Sequence, residues 1–212
     1  MGPVIPSDDI TLSGADTTSA GGAGPFPVRV LGRGRMGSAL AGALAASLTG
    51  MVGRLTTGRA KFAEVDATMR AIATQADAQR AALLTLVDAD AAAFEEVMAA
   101  FRWPRASAEQ KAARSTAIQA AYKGAIAVPL QTLTAAVDLL RLLVIVTEIG
   151  NPNAITDGGV GALLAEAAAQ GAALNVRVNL TALQDADLVA ATAAQVDELL
   201  AQAAQLRLKP PR

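Results

Sequence analysis

From Lys61 to Phe101 apolar residues recur at helical spacing: Val65, Met69, Ile72, Ala76, Leu83, Val87, Phe94, Met98 and Phe101. Steps of three, four and seven place them along one side of a long helix. Arg102-Trp103-Pro104 ends it, because a residue before proline avoids the α region. Ser107-Ala108-Glu109-Gln110 then has capping-box spacing, in which the Ser and Gln side chains accept from each other's free backbone N–H groups. A third helix is expected from there to about Glu148, kinked or restarted at Pro129, which has no N–H to donate. Before these, Met36 to Leu55 reads as a first helix, broken at Thr56-Thr57-Gly58. Gly150-Asn151-Pro152-Asn153 is a turn. A fourth helix is expected over 155–180 and a fifth over 185–206.

The resulting fold class is an all-α bundle of about five long helices. Composition agrees: 52% of residues are hydrophobic, alanine being the largest part, and only 3% are aromatic. Alanine is the strongest helix former, and few aromatic or β-branched clusters argue against a sheet. Residues 1–25 are rich in Gly, Ser, Thr, Asp and Pro and predict a flexible polar tail. The expected plan is a tail and glycine-rich lead-in over 1–35, a helical domain over 36–207, and a short tail over 208–212.

Eighteen basic and 19 acidic residues nearly cancel, which gives no case for a nucleic-acid partner. Cysteine and histidine are both absent. Disulfides, thiolate catalysis and imidazole chemistry are thereby excluded, and no zinc site is expected. Acid–base chemistry must fall to Asp, Glu, Lys, Tyr or Arg. The start has no basic residues before an apolar run, so no secretory signal is read and a cytoplasmic location is expected. The uncharged run between Arg35 and Arg54 approaches membrane-spanning length. Its Ala, Gly, Ser and Leu content fits a tightly packed bundle helix better, and no membrane partner is expected.

One local motif points elsewhere. Val28-Arg29-Val30-Leu31, then Gly32-Arg33-Gly34-Arg35-Met36-Gly37 and a helix, is strand, G-x-G-x-x-G and helix. Such a turn presents backbone N–H groups and a helix start to a pyrophosphate. The context is against it. No second strand ending in an acid follows some 20 residues on, and long helices come after. The favoured reading is a glycine-rich approach to a buried helix, with NADP binding as the lesser alternative.

Gly150 to Leu180 is apolar and alanine-rich, with two acids, Asp157 and Glu166, and one base, Arg177. Asp157 stands where a helix begins. It is either a proton carrier or an acid interacting with free N–H groups and the helix dipole.

ALAGALAASLTGMVGRLTTGRAKF, DATM, LVDADAAAF, the AVPL of Ala127–Leu130, GNPNAITD and ALNVRVNL occur in order between about Ala39 and Leu206. In these pieces, over about four fifths of its length, the chain resembles the formiminotransferase-cyclodeaminase / methenyltetrahydrofolate cyclohydrolase family. The resemblance implies an all-α bundle that forms a homodimer and acts on a tetrahydrofolate derivative, with no metal and no further cofactor. It also implies that the catalytic aspartate is Asp157. Members release ammonia from 5-formiminotetrahydrofolate or add water to 5,10-methenyltetrahydrofolate. Both reactions move protons around one carbon, a task that one placed carboxylate can speed by about 10²–10⁴-fold.

The chain departs from the family at one loop. Where members enter the first helix through Pro-x-Pro-Gly-Gly-Gly-Ser, this chain has PFPVRVLGRGRMGSA, and only Gly37-Ser38 remains. The alternative is therefore a bundle that binds folate or a partner without turnover.

The expected substrate-binding residues are Gly37, Ser38, Lys61, Asp90, Asn151 and Asn153. Each has a plainer reading. Asn151 and Asn153 suit a turn without any function. Asp90 either faces a polar pocket or sits at the solvated edge of the second helix while Ala91 fills the stripe. Lys61 either holds a folate carboxylate as a point charge or stands on a solvated face. Asn175 and Asn179, four apart on the fourth helix, read as buried inter-helix hydrogen bonds or dimer contacts. Asn175 stands about 27 Å along the axis from Asp157.

Overall fold

The structure, a computed structural model, describes residues 35–206. Five α-helices follow one another: α1 Arg35–Thr56, α2 Asp66–Phe101, α3 Ala108–Ile149, α4 Ile155–Leu180 and α5 Ala186–Gln205. Short 3-10 segments at Ala60–Val65 and Pro152–Ala154 lead into α2 and α4. No strand occurs among the described residues. The expected tails lie almost wholly outside them, as do Gly32 and Gly34 of the nucleotide-type motif.

α1 packs on α2 and α4, and α3 packs on the same two, so α2 and α4 stand diagonally across a four-helix core. α5 lies against α3 and α4. The short connections make neighbours antiparallel. Close contacts give the register: Gly42 fits between Leu83 and Ala168, Gly53 lies beside Ala73, and Gly171 faces Ser38. Met69, Leu83, Leu133, Leu139, Leu140 and Leu143 fill the centre, each worth about 1.5–3 kcal/mol on full burial. Ala165, Ala168, Ala169 and Ala172 give α4 a small-residue face that lets its neighbours approach closely.

Three expectations need correction. The segment opening at Lys61 is a 3-10 turn with a non-helical Phe62, and the α-helix begins only at Asp66. The apolar stripe of α2 rotates beyond Val87. Ala93, Val97 and Ala100 are buried, while Phe94, Met98 and Phe101 are partly exposed. The last turns of α2 pack in a separate small cluster with Ala125 of α3, not in the main core. Finally, Pro129 does not restart its helix. α3 is continuous through the proline, which is buried inside it.

The capping box is present, with Gln110 N–H donating to Ser107 Oγ at 3.2 Å and Ser107 N–H to Gln110 Oε1 at 3.3 Å. Asp185 caps α5 by accepting from Leu188 N–H at 3.1 Å. Gly37–Thr56 is long and apolar enough to cross a membrane, with mean hydropathy 1.2. More than half of that stretch is buried against the other helices, as expected of a core helix.

Candidate active site

The expected site residues fall into two groups at opposite ends of the bundle. One group surrounds the turn from α3 to α4. Asn151 is buried and fully engaged. Its backbone N–H donates to Thr56 Oγ1 at 2.9 Å and its Nδ2 to the Leu55 carbonyl at 3.1 Å. Its Oδ1 accepts from Asn153 N–H at 3.1 Å. Asn151 therefore ties the turn to the end of α1, and its amide has an anchoring job. Asn153 is exposed.

Asp157 follows in the first turn of α4, half-buried. It is not the N-cap of that helix: Ala154 holds that position without a side-chain cap, and Asn151 caps the 3-10 turn before it. Gly158 and Gly161 press α4 onto α3 and α1: a Cβ on Gly158 would stand 2.5 Å from Thr147 Cγ2, and one on Gly161 2.8 Å from Leu143 Cδ2. These contacts hold the Asp157 backbone while its carboxylate stays at the rim. Lys61 lies at this end as well, exposed, with Nζ 5.4 Å from the Phe62 ring centre.

The second group surrounds the start of α1. Gly42, Leu83 and Ala168 meet at one height. Seven residues beyond Leu83 and Ala168, Asp90 and Asn175 stand about 10 Å further along. That is level with Arg35, where α1 begins. Ser38 is buried nearby against Gly171, and Gly37 is exposed. Asp90 is half-buried with Oδ2 fully enclosed, whereas Ala91 is exposed, so the stripe turns the acid inward and not the alanine. Arg80 is exposed.

One turn past Asp90 a cavity of about 240 Å³ opens between α2, α3 and α4. Phe94, Val97 and Phe101 line one side, Tyr122 and Ala125 the back, and Val178 and Asn179 the other side. Tyr122 meets Phe101 edge to face at 6.4 Å. The cavity thus has aromatic walls, the Asn179 amide, and a partly enclosed carboxylate one helical turn away. Such a lining suits a flat heteroaromatic group with a nearby positive charge. Sequence reasoning missed Tyr122. As the lone tyrosine, in a segment with no clear stripe, it carried only the signal of its rarity.

A sequence profile described as formiminotransferase-cyclodeaminase matches residues 36–198. The chain belongs to this family. Family relatives agree with the assignment. A methenyltetrahydrofolate cyclohydrolase of Methylorubrum extorquens is 36% identical over 169 residues, covering 80% of this chain and 81% of that one. A formimidoyltransferase-cyclodeaminase of Rattus norvegicus is 35% identical over 172 residues, covering 81% of this chain but 32% of the other. The crystal structure of a formiminotetrahydrofolate cyclodeaminase from Thermotoga maritima superposes with a TM-score of 0.74 at 28% identity. It covers 82% of this chain and 83% of its own. The fold of this family member is therefore the family's helical fold.

Proposed function

We propose that this family member is a one-carbon folate enzyme that hydrolyses 5,10-methenyltetrahydrofolate to the 10-formyl form. The observation that carries this reading is the match along most of the length of a cyclohydrolase, against one third of the two-activity relatives. Loss of ammonia from 5-formiminotetrahydrofolate is the second reading, favoured by the likeness to the Thermotoga cyclodeaminase.

The reaction needs a water oxygen to attack the cationic carbon bridging N5 and N10. A carboxylate takes one water proton. The C–N5 bond then breaks, the remaining hydroxyl proton passes to N5, and the carbonyl of the formyl group forms. Net, one water is consumed and one proton released. No electron changes hands, so no redox cofactor is required. Asp90, half-buried one helical turn from the aromatic cavity, is read as a substrate-binding acid at that end of the bundle. Asp157, half-buried in the first turn of α4, is read as the general acid/base that exchanges protons with water. Gly37 and Ser38, at the start of α1, are read as substrate-binding residues at the Asp90 end, and Lys61, at the other end, as a partner for a folate carboxylate. The enzyme works as a cytoplasmic homodimer.

The test is the ultraviolet decay of 5,10-methenyltetrahydrofolate with the full chain, against Asp157→Asn and Asp90→Asn. Wild-type decay above background, lowered at least about 10²-fold in either variant, is expected. Wild-type decay at background, with release of ammonia from the formimino substrate, would establish the second reading instead. Inertness toward both substrates would leave a bundle without turnover.

A further inference from the structure

At the cavity between α2, α3 and α4 the two ends of the Asn179 amide meet different surroundings. The side chain is only 8% exposed, so protein contacts and not solvent hold it. Its Nδ2 donates to the Ala125 carbonyl at 2.8 Å. That carbonyl lies four residues before Pro129 and has no helical N–H to accept from, because proline carries none. The amide therefore cannot be reversed, since oxygen would then face oxygen. Oδ1 is left as a fixed acceptor, and among the described residues no group donates to it. Because Asn179 lines the cavity, this acceptor opens onto it.

A second uncommitted polar group lines the same space. The Tyr122 hydroxyl is on a half-buried side chain and makes no hydrogen bond among the described residues. Its ring is held edge to face against Phe101. The Thr181 hydroxyl, by contrast, is taken up by the Val178 carbonyl at 2.7 Å. No charged side chain is among the lining residues. A guest is therefore selected by a neutral flat ring, by an N–H donor aimed at Oδ1, and by a group able to pair with a phenol. Size narrows the choice. About 240 Å³ is less than the about 300–1,000 Å³ of clefts that take a whole drug-sized ligand. The cavity thus takes a bicyclic ring and leaves the rest of a folate outside. The 2-amino-4-oxo edge of a pterin has the required chemistry, an amine that donates and a carbonyl that accepts.

We propose that Asn179 is a specificity-determining residue: its Oδ1 accepts from the 2-amino group of the bound pterin ring, while Tyr122 donates to the 4-oxo group. This rests on the folate reading for the identity of the ring. Two ring probes test it by calorimetry on the full chain: pterin, and lumazine, which has a 2-oxo group in place of the amine. Wild type should bind pterin at least about tenfold tighter, because the lumazine oxygen would face Oδ1 and leave two acceptors without a donor. Equal affinities, or binding of neither ring, would overturn the assignment. The variant arm starts from Pro129→Ala, in which residue 129 regains an N–H for the Ala125 carbonyl and frees Asn179 from that task. This variant should keep the preference. Adding Asn179→Leu should bring the ratio of the two affinities near one. An amide with a purely structural role would shift both affinities alike, so an unchanged ratio would refute the assignment. Tyr122→Phe decides independently, even where the double variant does not fold. Both rings carry the 4-oxo group, so both should bind more weakly with their ratio kept. A ratio that collapses there would give the amine to the phenol and not to Asn179. Turnover judges the functional reading separately. A pterin preference in a chain inert toward both folates would refute that reading alone, and turnover with equal ring affinities would refute only the role of Asn179.

Discussion

Asn179 stands in for the hydrogen bond that Pro129 cannot make. In an unbroken helix the N–H of residue 129 would donate to the carbonyl of Ala125. Proline has none, and instead Asn179 Nδ2, from α4, donates to that carbonyl at 2.8 Å inside the protein. This is why α3 continues through a buried proline, and it links the AVPL segment to the end of ALNVRVNL. Asn179→Leu should leave the Ala125 carbonyl buried without a partner and cost about 1–3 kcal/mol in urea unfolding. In a Pro129→Ala background the backbone N–H returns, and the same substitution should cost much less. Equal costs in both backgrounds would refute the substitution of one bond for the other.

Thr56 plays a comparable part at the other end. Its hydroxyl donates to the Val52 carbonyl at 2.8 Å and accepts from Asn151 N–H at 2.9 Å. Thr56→Val keeps the shape and removes both bonds, so a loss of about 1–3 kcal/mol is expected. Because the same turn leads into Asp157, kcat should fall more than stability alone explains at temperatures where the variant is fully folded. An unchanged kcat would separate the turn from the chemistry.

These two bonds also mark what the sequence made legible. Helix number, the fourth helix from Ile155 to Leu180 and the Ser107 capping box follow from local periodicity and cap chemistry, which a single segment carries by itself. Asn179 was readable as a buried inter-helix amide, but its partner was not, because Ala125 is 54 residues away. The gathering of Asp90, Asn175 and the start of α1 at one height depends on the register of three helices, which no local pattern encodes. The same holds for the rotation of the α2 stripe beyond Val87, which follows from those last turns packing in their own cluster. The distance between Asp157 and Asn175 was within reach, since both lie on one helix and the rise per residue is fixed.

Gly158 tests how closely α4 must approach α3. Gly158→Ala would place a Cβ 2.5 Å from Thr147 Cγ2. Thr147 cannot turn away freely, because its hydroxyl donates to the Leu143 and Val144 carbonyls at 2.8 and 2.9 Å. Overpacking of this kind costs about 1–3 kcal/mol. Thr147→Ser removes the offending methyl, so adding it to Gly158→Ala should restore most of the loss of Tm. Failure of that rescue would place the strain elsewhere.

Asp185 gives the fold a dependence on acid. The Lys123 ammonium 3.0 Å from its carboxylate, with the Leu188 N–H that it caps, holds its proton affinity below the ordinary carboxylate range. A carboxyl whose folded value is depressed adds stability that is complete above the unfolded value, about 3.9 for Asp. That contribution disappears as pH falls through the lower, folded value. Asp66, beside Arg70 and the Gly58 N–H, acts in the same direction. Asp185→Asn keeps a side chain able to cap α5 but loses the charge. Its Tm should therefore fall below wild type at neutral pH, and the two should converge below about pH 3–4. A Tm difference that stays constant from pH 7 to pH 2 would show that the cap alone, and not the pairing with Lys123, sets the contribution of this residue.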